Sequence, residues 1–130
     1  MEDILHRKNV NFSCIDETDE DPERLEKWKS QRDERGFDDT ELWNFDLTIA
    51  NFILPRLKVF REQTNGYPSK FNTMEEWTKI LDEIIEGLEL YKDKFDWDIR
   101  KTDQNILNLY NSKCKKAFKL LGEYAQDLWW

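Results

Sequence analysis

An all-α fold is the class this sequence predicts: a small antiparallel helical bundle of three long helices plus a peripheral one, preceded by an irregular acidic N-terminal arm. Three observations carry that expectation. Gly and Pro are scarce, 4 and 3 in 130 residues, too few for the turn-rich chain of a β-sandwich. Trp, Phe and Tyr number 6, 8 and 4, which fills one core even though 37% of the residues are charged. Start and stop signals flank each stretch in which apolar residues return every three or four positions.

Residues 1–21 read as the arm. Val10, Phe12 and Cys14 alternate with polar neighbours, the pattern of a short strand, and such a strand in a helical chain needs a second copy, a target's sheet or a loop conformation. The run Asp16-Glu17-Thr18-Asp19-Glu20-Asp21 reads as a solvated linker. The bundle domain is expected over residues 22–130. Asp21 before Pro22 is a cap followed by a first-turn proline, and the helix it opens should stop at Gly36. Leu25 and Trp28 are its only strong apolar residues, so this is the peripheral helix.

The second helix is expected from a capping box, Asp38 with Glu41, and a hydrophobic staple, Phe37 with Leu42. It should run to Asn65-Gly66, with Pro55 kinking or splitting it. Thr73 and Glu76 form another capping box, after which Trp77, Leu81, Ile84, Leu88 and Tyr91 recur at helical spacing. The last helix is expected to begin after Asp96 or Asp98. Its stripe is Ile99, Ile106, Tyr110, Cys114, Ala117, Phe118, Leu121, Tyr124, Ala125 and Leu128.

Composition narrows function by exclusion. No apolar run reaches the roughly 18 residues of a membrane span, and Met1-Glu2-Asp3 is acidic rather than signal-like, so a cytoplasmic protein is expected. Cys14 and Cys114 lie far apart without companions at metal-ligand spacing, and two buried thiols are the reading. His6 is the only histidine, which removes triads and paired-histidine metal sites; no metal or cofactor is expected. Residues 1–46 hold 7 Lys/Arg against 15 Asp/Glu, which accounts for the whole net charge of −8. An acidic third of that kind disfavours nucleic-acid backbones and attracts basic protein surfaces. The basic cluster Lys113, Lys115, Lys116 and Lys119 lacks interleaved aromatics for stacking bases and reads as a solvated face. Glu83, Glu86 and Glu89 resemble the carboxylate rows of all-α nucleotide pyrophosphatases. Asp93, Asp96 and Asp98 do not supply the matching acidic pair, and a solvated acidic face is the simpler reading.

Polar residues on apolar faces are the most informative anomaly. At 100° per residue, Asp46 and Arg56 fall within the apolar arc of the second helix, and Asp103 and Lys113 fall on or beside that of the last. The four are read as one polar cluster: a structural ion-pair network, a pocket for an anionic or nucleotide-like ligand, or groups facing solvent at helix ends. Candidate partner-binding residues are Trp28, Asp19, Glu20 and Asp21, together with the terminal indoles Trp129 and Trp130, since Trp is favoured at interface centres.

The string RGFDDTELWNFDLTIANFILPRLKVF, followed by NGYP, a helix containing Trp77 and a final Leu128-Trp129, resembles a group of small proteins encoded by bacteriophages and prophages. The resemblance covers residues 35–130 and rests on Gly36-Phe37-Asp38, Trp43, Asp46, Ile49-Ala50, Pro55-Arg56-Leu57-Lys58, Trp77 and Leu81-Asp82. It implies a phage setting and no particular reaction. With catalytic groups missing, the expected function is a non-enzymatic interaction protein that binds and modulates a host protein, a defence factor among the candidate targets, with a homodimer as an alternative partner. Two further expectations remain open: a small-ligand or nucleotide-sequestering protein, and a metal-dependent hydrolase using the Glu83, Glu86 and Glu89 face.

Overall fold

A computed structural model describes residues 21–93 and 103–129. The strand pattern of residues 4–15, Cys14, His6, Asp19, Glu20, Asp96, Asp98, Ile99 and Trp130 lie outside the described residues. Among those described, the secondary structure is all helical: α1 (Pro22–Arg35), α2 (Thr40–Trp43), α3 (Phe45–Gln63), α4 (Met74–Asp93) and α5 (Gln104–Tyr124), then a short 3₁₀ turn, Ala125–Asp127. The chain divides into two compact units with the boundary between Phe52 and Ile53, inside α3.

In the first unit the α1 signals work as expected. The Asp21 carboxylate accepts from Glu23 N at 3.0 Å, and Gly36 ends the helix at φ 85°, a conformation that a side chain would strain. Trp28 is buried and meets Trp43 edge-on with ring centroids 5.8 Å apart. Four residues beyond Trp28, Arg32 forms an ion pair with Asp38, whose carboxylate is fully buried and also accepts from Thr40 N at 2.8 Å and from the Thr40 hydroxyl. Glu41, also buried, accepts from Asp38 N at 3.3 Å. Half of the expected capping box is therefore seen, and the Asp38 side chain also holds Thr40. Next to it, Gln31 and Asp39 exchange two hydrogen bonds of 2.9 Å, and Arg35 donates to Asp39 at 2.9 Å and to Phe37 O at 3.1 Å. These bonds fasten α1 to the turn after it.

The expected second helix is two helices, and the break is at Asn44 rather than at Pro55. Asn44 leaves helical geometry (φ −127°, ψ 68°), and its carbonyl accepts from Leu47 N and Thr48 N to start α3. The Thr48 hydroxyl donates to Glu41 O at 2.6 Å, satisfying a carbonyl at the end of α2. Pro55 stays inside α3 without ending it. Phe37 and Leu42 are exposed, and Phe37 carries the Arg35 guanidinium 4.4 Å from its ring centroid instead of a hydrophobic staple.

In the second unit, α4 supplies the core: Trp77, Leu81, Ile84 and Leu88 are each at most 1% exposed, as the periodicity predicts. Its capping box is also shifted by one residue. Thr73 Oγ1 accepts from Glu76 N at 3.2 Å, but Glu76 takes Asn72 N at 2.8 Å. Contacts between α4 and α5 run in opposite chain order: Trp77 meets Tyr124, Glu83 meets Lys116 and Glu86 meets Lys113. The two helices are antiparallel. Salt bridges Lys58–Glu89 and Arg61–Asp82 give the end of α3 the same sense against α4. On α5 only part of the expected stripe is core: Cys114 and Ala117 are buried and Ile106 is exposed, while Leu120, outside that stripe, is buried.

Gly87 sets the closeness of α4 and α5. A Cβ there would lie 2.3 Å from Ala117 Cβ and 2.6 Å from the Lys113 carbonyl oxygen. Backbone cannot yield as a flexible side chain does, so the Gly87→Ala protein should lose about 1–3 kcal/mol by urea unfolding. Gly122, with nothing within 4 Å of its would-be Cβ, is the control; Gly122→Ala should gain about 0.5–1 kcal/mol from helix propensity and reduced unfolded-state entropy. Equal effects at both positions would refute the close approach. In the first unit, Asp38→Ala strips Arg32 of its buried counter-charge and Thr40 of its acceptor. About 3 kcal/mol should be lost in the same assay.

Candidate functional site

Of the four residues expected to form one polar cluster, Asp103 and Lys113 hold other partners. Asp103 is exposed and caps α5, accepting from Asn105 N at 2.7 Å. Lys113 donates to Glu86 at 2.8 Å, which holds its pKa above the ordinary lysine value. Asp103 and Lys113 are ten residues apart on one helix, about 15 Å, and are not brought together. Because the helix restarts at Phe45, Asp46 stands half-buried in the first turn of α3, where the positive end of the helix dipole favours a carboxylate. Arg56, counted into the apolar arc, is exposed. Among the described residues every buried side-chain nitrogen or oxygen has a partner.

The Glu83, Glu86 and Glu89 row is taken up by lysines, through Lys116 at 3.3 Å, Lys113 at 2.8 Å and Lys58 at 2.6 Å. Of the partner-binding candidates, Trp28 is a core residue of the first unit with the Arg24 guanidinium 5.2 Å from its ring centroid, so it is not a surface anchor. Asp21 is spent on the α1 cap. Among the described residues, the candidate indole that stands open is Trp129, at 76% exposure.

Trp129 borders a cleft of about 600 Å³ in the second unit, lined also by Asn65, Gly66, Tyr67, Pro68, Ser69, Trp77 and Asp127. Local chemistry builds each wall. Thr64 N bonds to Phe60 O at 2.8 Å as α3 ends, and the Tyr67 hydroxyl donates to Asn72 O at 3.2 Å, folding the loop on itself. Phe71 lies against Trp77 and Tyr124, with centroid separations of 5.8 and 5.7 Å, and Trp77 meets Tyr124 edge-on at 5.8 Å. The 3₁₀ turn after Tyr124 delivers Asp127 to the cleft, and Trp129 N bonds to Asp127 O at 3.0 Å. Lys70 ties loop to C-terminal segment: its ammonium is 2.8 Å from Asp127 Oδ2 and 4.6 Å from the Tyr124 ring centroid. Sequence reasoning found Trp129 but neither Tyr67 nor Asp127. The NGYP turn was visible as a turn, but nothing local pairs it with residues sixty positions later.

No family model, curated protein or solved structure matches this chain.

The Lys70–Asp127 contact makes a pH prediction. The hydrogen bond to Asp127 raises the Lys70 pKa above the ordinary lysine value, so the contact stabilises the folded chain at neutral pH. That contribution is lost as pH rises through the raised pKa. The melting-temperature difference between the parent protein and Lys70→Met should therefore shrink in strong alkali. A difference that stays constant into that range would contradict the assignment.

Proposed function

We propose that this chain is a non-enzymatic interaction protein of the bacteriophage type, which binds and modulates a protein of the host cytoplasm, with host defence factors as the target class. The helices are read as a small antiparallel bundle whose role is to present a binding surface. The observation that carries the proposal is Trp129: an indole at 76% exposure beside a cleft that already contains a proline ring and the half-exposed Tyr67. Large aromatic side chains cost solvation when left open, and in interfaces they contribute a disproportionate share of binding energy. The resemblance of residues 35–130 to phage proteins, which includes Trp129, supports the setting. The size of the cleft, about 600 Å³, also suits a small ligand, and this is the second reading.

One experiment separates the two. The full chain is incubated with lysates of bacterial hosts, repurified and weighed by native mass spectrometry. The interaction reading expects one host protein retained at fixed stoichiometry and lost from the Trp129→Ala protein, whose melting temperature should match the parent because the residue is exposed. Retention of a small molecule without protein would support the second reading. If nothing is retained from any lysate, the interaction reading fails.

A further inference from the structure

We propose that the cleft beside Trp129 recognises an arginine side chain presented by a polypeptide segment of the partner; this rests on the interaction reading and names the chemistry of that partner. The cleft combines three features. Its apolar walls are aromatic or proline rings: Tyr67, Pro68, Trp77 and Trp129. Among the described residues its one charged lining group is Asp127, a carboxylate. No basic side chain lines it among the described residues. Ring faces carry negative potential and attract cations, and a carboxylate beside them adds a hydrogen-bond acceptor with full charge.

The chain displays the same recognition on itself. Lys70 bonds to Asp127 Oδ2 and lies over the ring of Tyr124, so one cation is already held by this carboxylate and an aromatic face. Asp127 Oδ1 accepts no hydrogen bond among the described residues, and the Trp129 ring stacks on no described aromatic or cationic group. A second cation entering the cleft can therefore use the Asp127 carboxylate and the exposed Trp129 indole together. Arginine suits this pair better than lysine. Its guanidinium is flat and weakly hydrated, so it can stack on the indole while an edge N–H reaches Oδ1, and its methylene stem can lie along Pro68 and Tyr67. Nucleic acid is the poorer match, because its phosphates would approach the Asp127 carboxylate.

The test uses the full chain and two tripeptides, acetyl-Gly-Arg-Gly-amide and the same peptide with neutral citrulline in place of arginine. Binding is followed by NMR at the Trp129 indole N–H, assigned by its absence from the Trp129→Phe spectrum. The arginine peptide should shift that signal to saturation, and citrulline should bind at least about tenfold more weakly. Asp127→Asn should abolish the discrimination between the two peptides. Lys70→Met, which releases Asp127 from its internal partner, should tighten arginine binding severalfold. A Trp129 signal unmoved by the arginine peptide, equal binding of both peptides, or discrimination that survives Asp127→Asn would each overturn the proposal. If host lysate yields a Trp129-dependent partner while arginine fails, the interaction reading stands and the cleft chemistry falls. If arginine binds with the expected discrimination while no lysate yields a partner, the cleft chemistry stands and the interaction reading falls.

Discussion

Trp77 is the constraint on which the second unit depends. It belongs to the buried ridge of α4, yet its ring also meets Phe71 of the preceding loop and Tyr124 at the end of α5. A single large side chain thus fixes a loop, a helix and the C-terminal segment against one another, at 1% exposure. Because Phe71 and Tyr124 also touch each other, moving any one ring uncovers the other two. The walls of the cleft are the outer parts of those same three segments: Tyr67 and Pro68 from the loop, Trp77 itself, and Asp127 and Trp129 beyond α5. Rigid packing behind an open rim is what allows exposed rings to be held in place without being buried.

Charges do less to hold this unit than their number suggests. The lysine–glutamate pairs along α4 lie between partly exposed side chains, where water and salt screen them. They set register between neighbouring helices more than they stabilise it. What fixes α4 against α5 is the approach at Gly87, where the backbone of α5 comes within reach of a methyl that is not there. The first unit reverses the balance. Its apolar burial is modest, and the fully buried Asp38, held by Arg32 and Thr40, makes a polar interaction the organising element.

The sequence carried the helices well wherever the signal was periodic or terminal. The α4 ridge, the Asp21-Pro22 start and the Gly36 stop all depend on residues within a turn of each other, and each is where the pattern placed it. The break at Asn44 carries no glycine or proline, so one expected helix is two. Asp46 and Arg56 both lie in α3, where Asp46 is half-buried and Arg56, next to Pro55, is exposed. Nothing local in the sequence marks Gly87 as a close approach, because the reason for a glycine there, the Lys113 carbonyl, belongs to another helix. The cleft was legible only at Trp129, since Lys70 and Asp127, its bridging pair, are 57 residues apart and nothing local predicts that they meet.

If the cleft binds as proposed, the distribution of charge gives electrostatics a second role, separate from contact. The net charge of −8 arises wholly within residues 1–46, whereas the cleft belongs to the unit beginning at Ile53 and offers one carboxylate. Under the proposed reading, long-range attraction and short-range selection fall to different parts of the chain. A strongly acidic segment raises the encounter rate with basic surfaces and loses that effect as salt shortens the Debye length. A ring stacked on a guanidinium, by contrast, acts at contact and governs how slowly the complex separates. On that proposal, salt should slow arrival far more than it hastens departure, and a basic partner lacking a suitably placed arginine should be attracted but not kept.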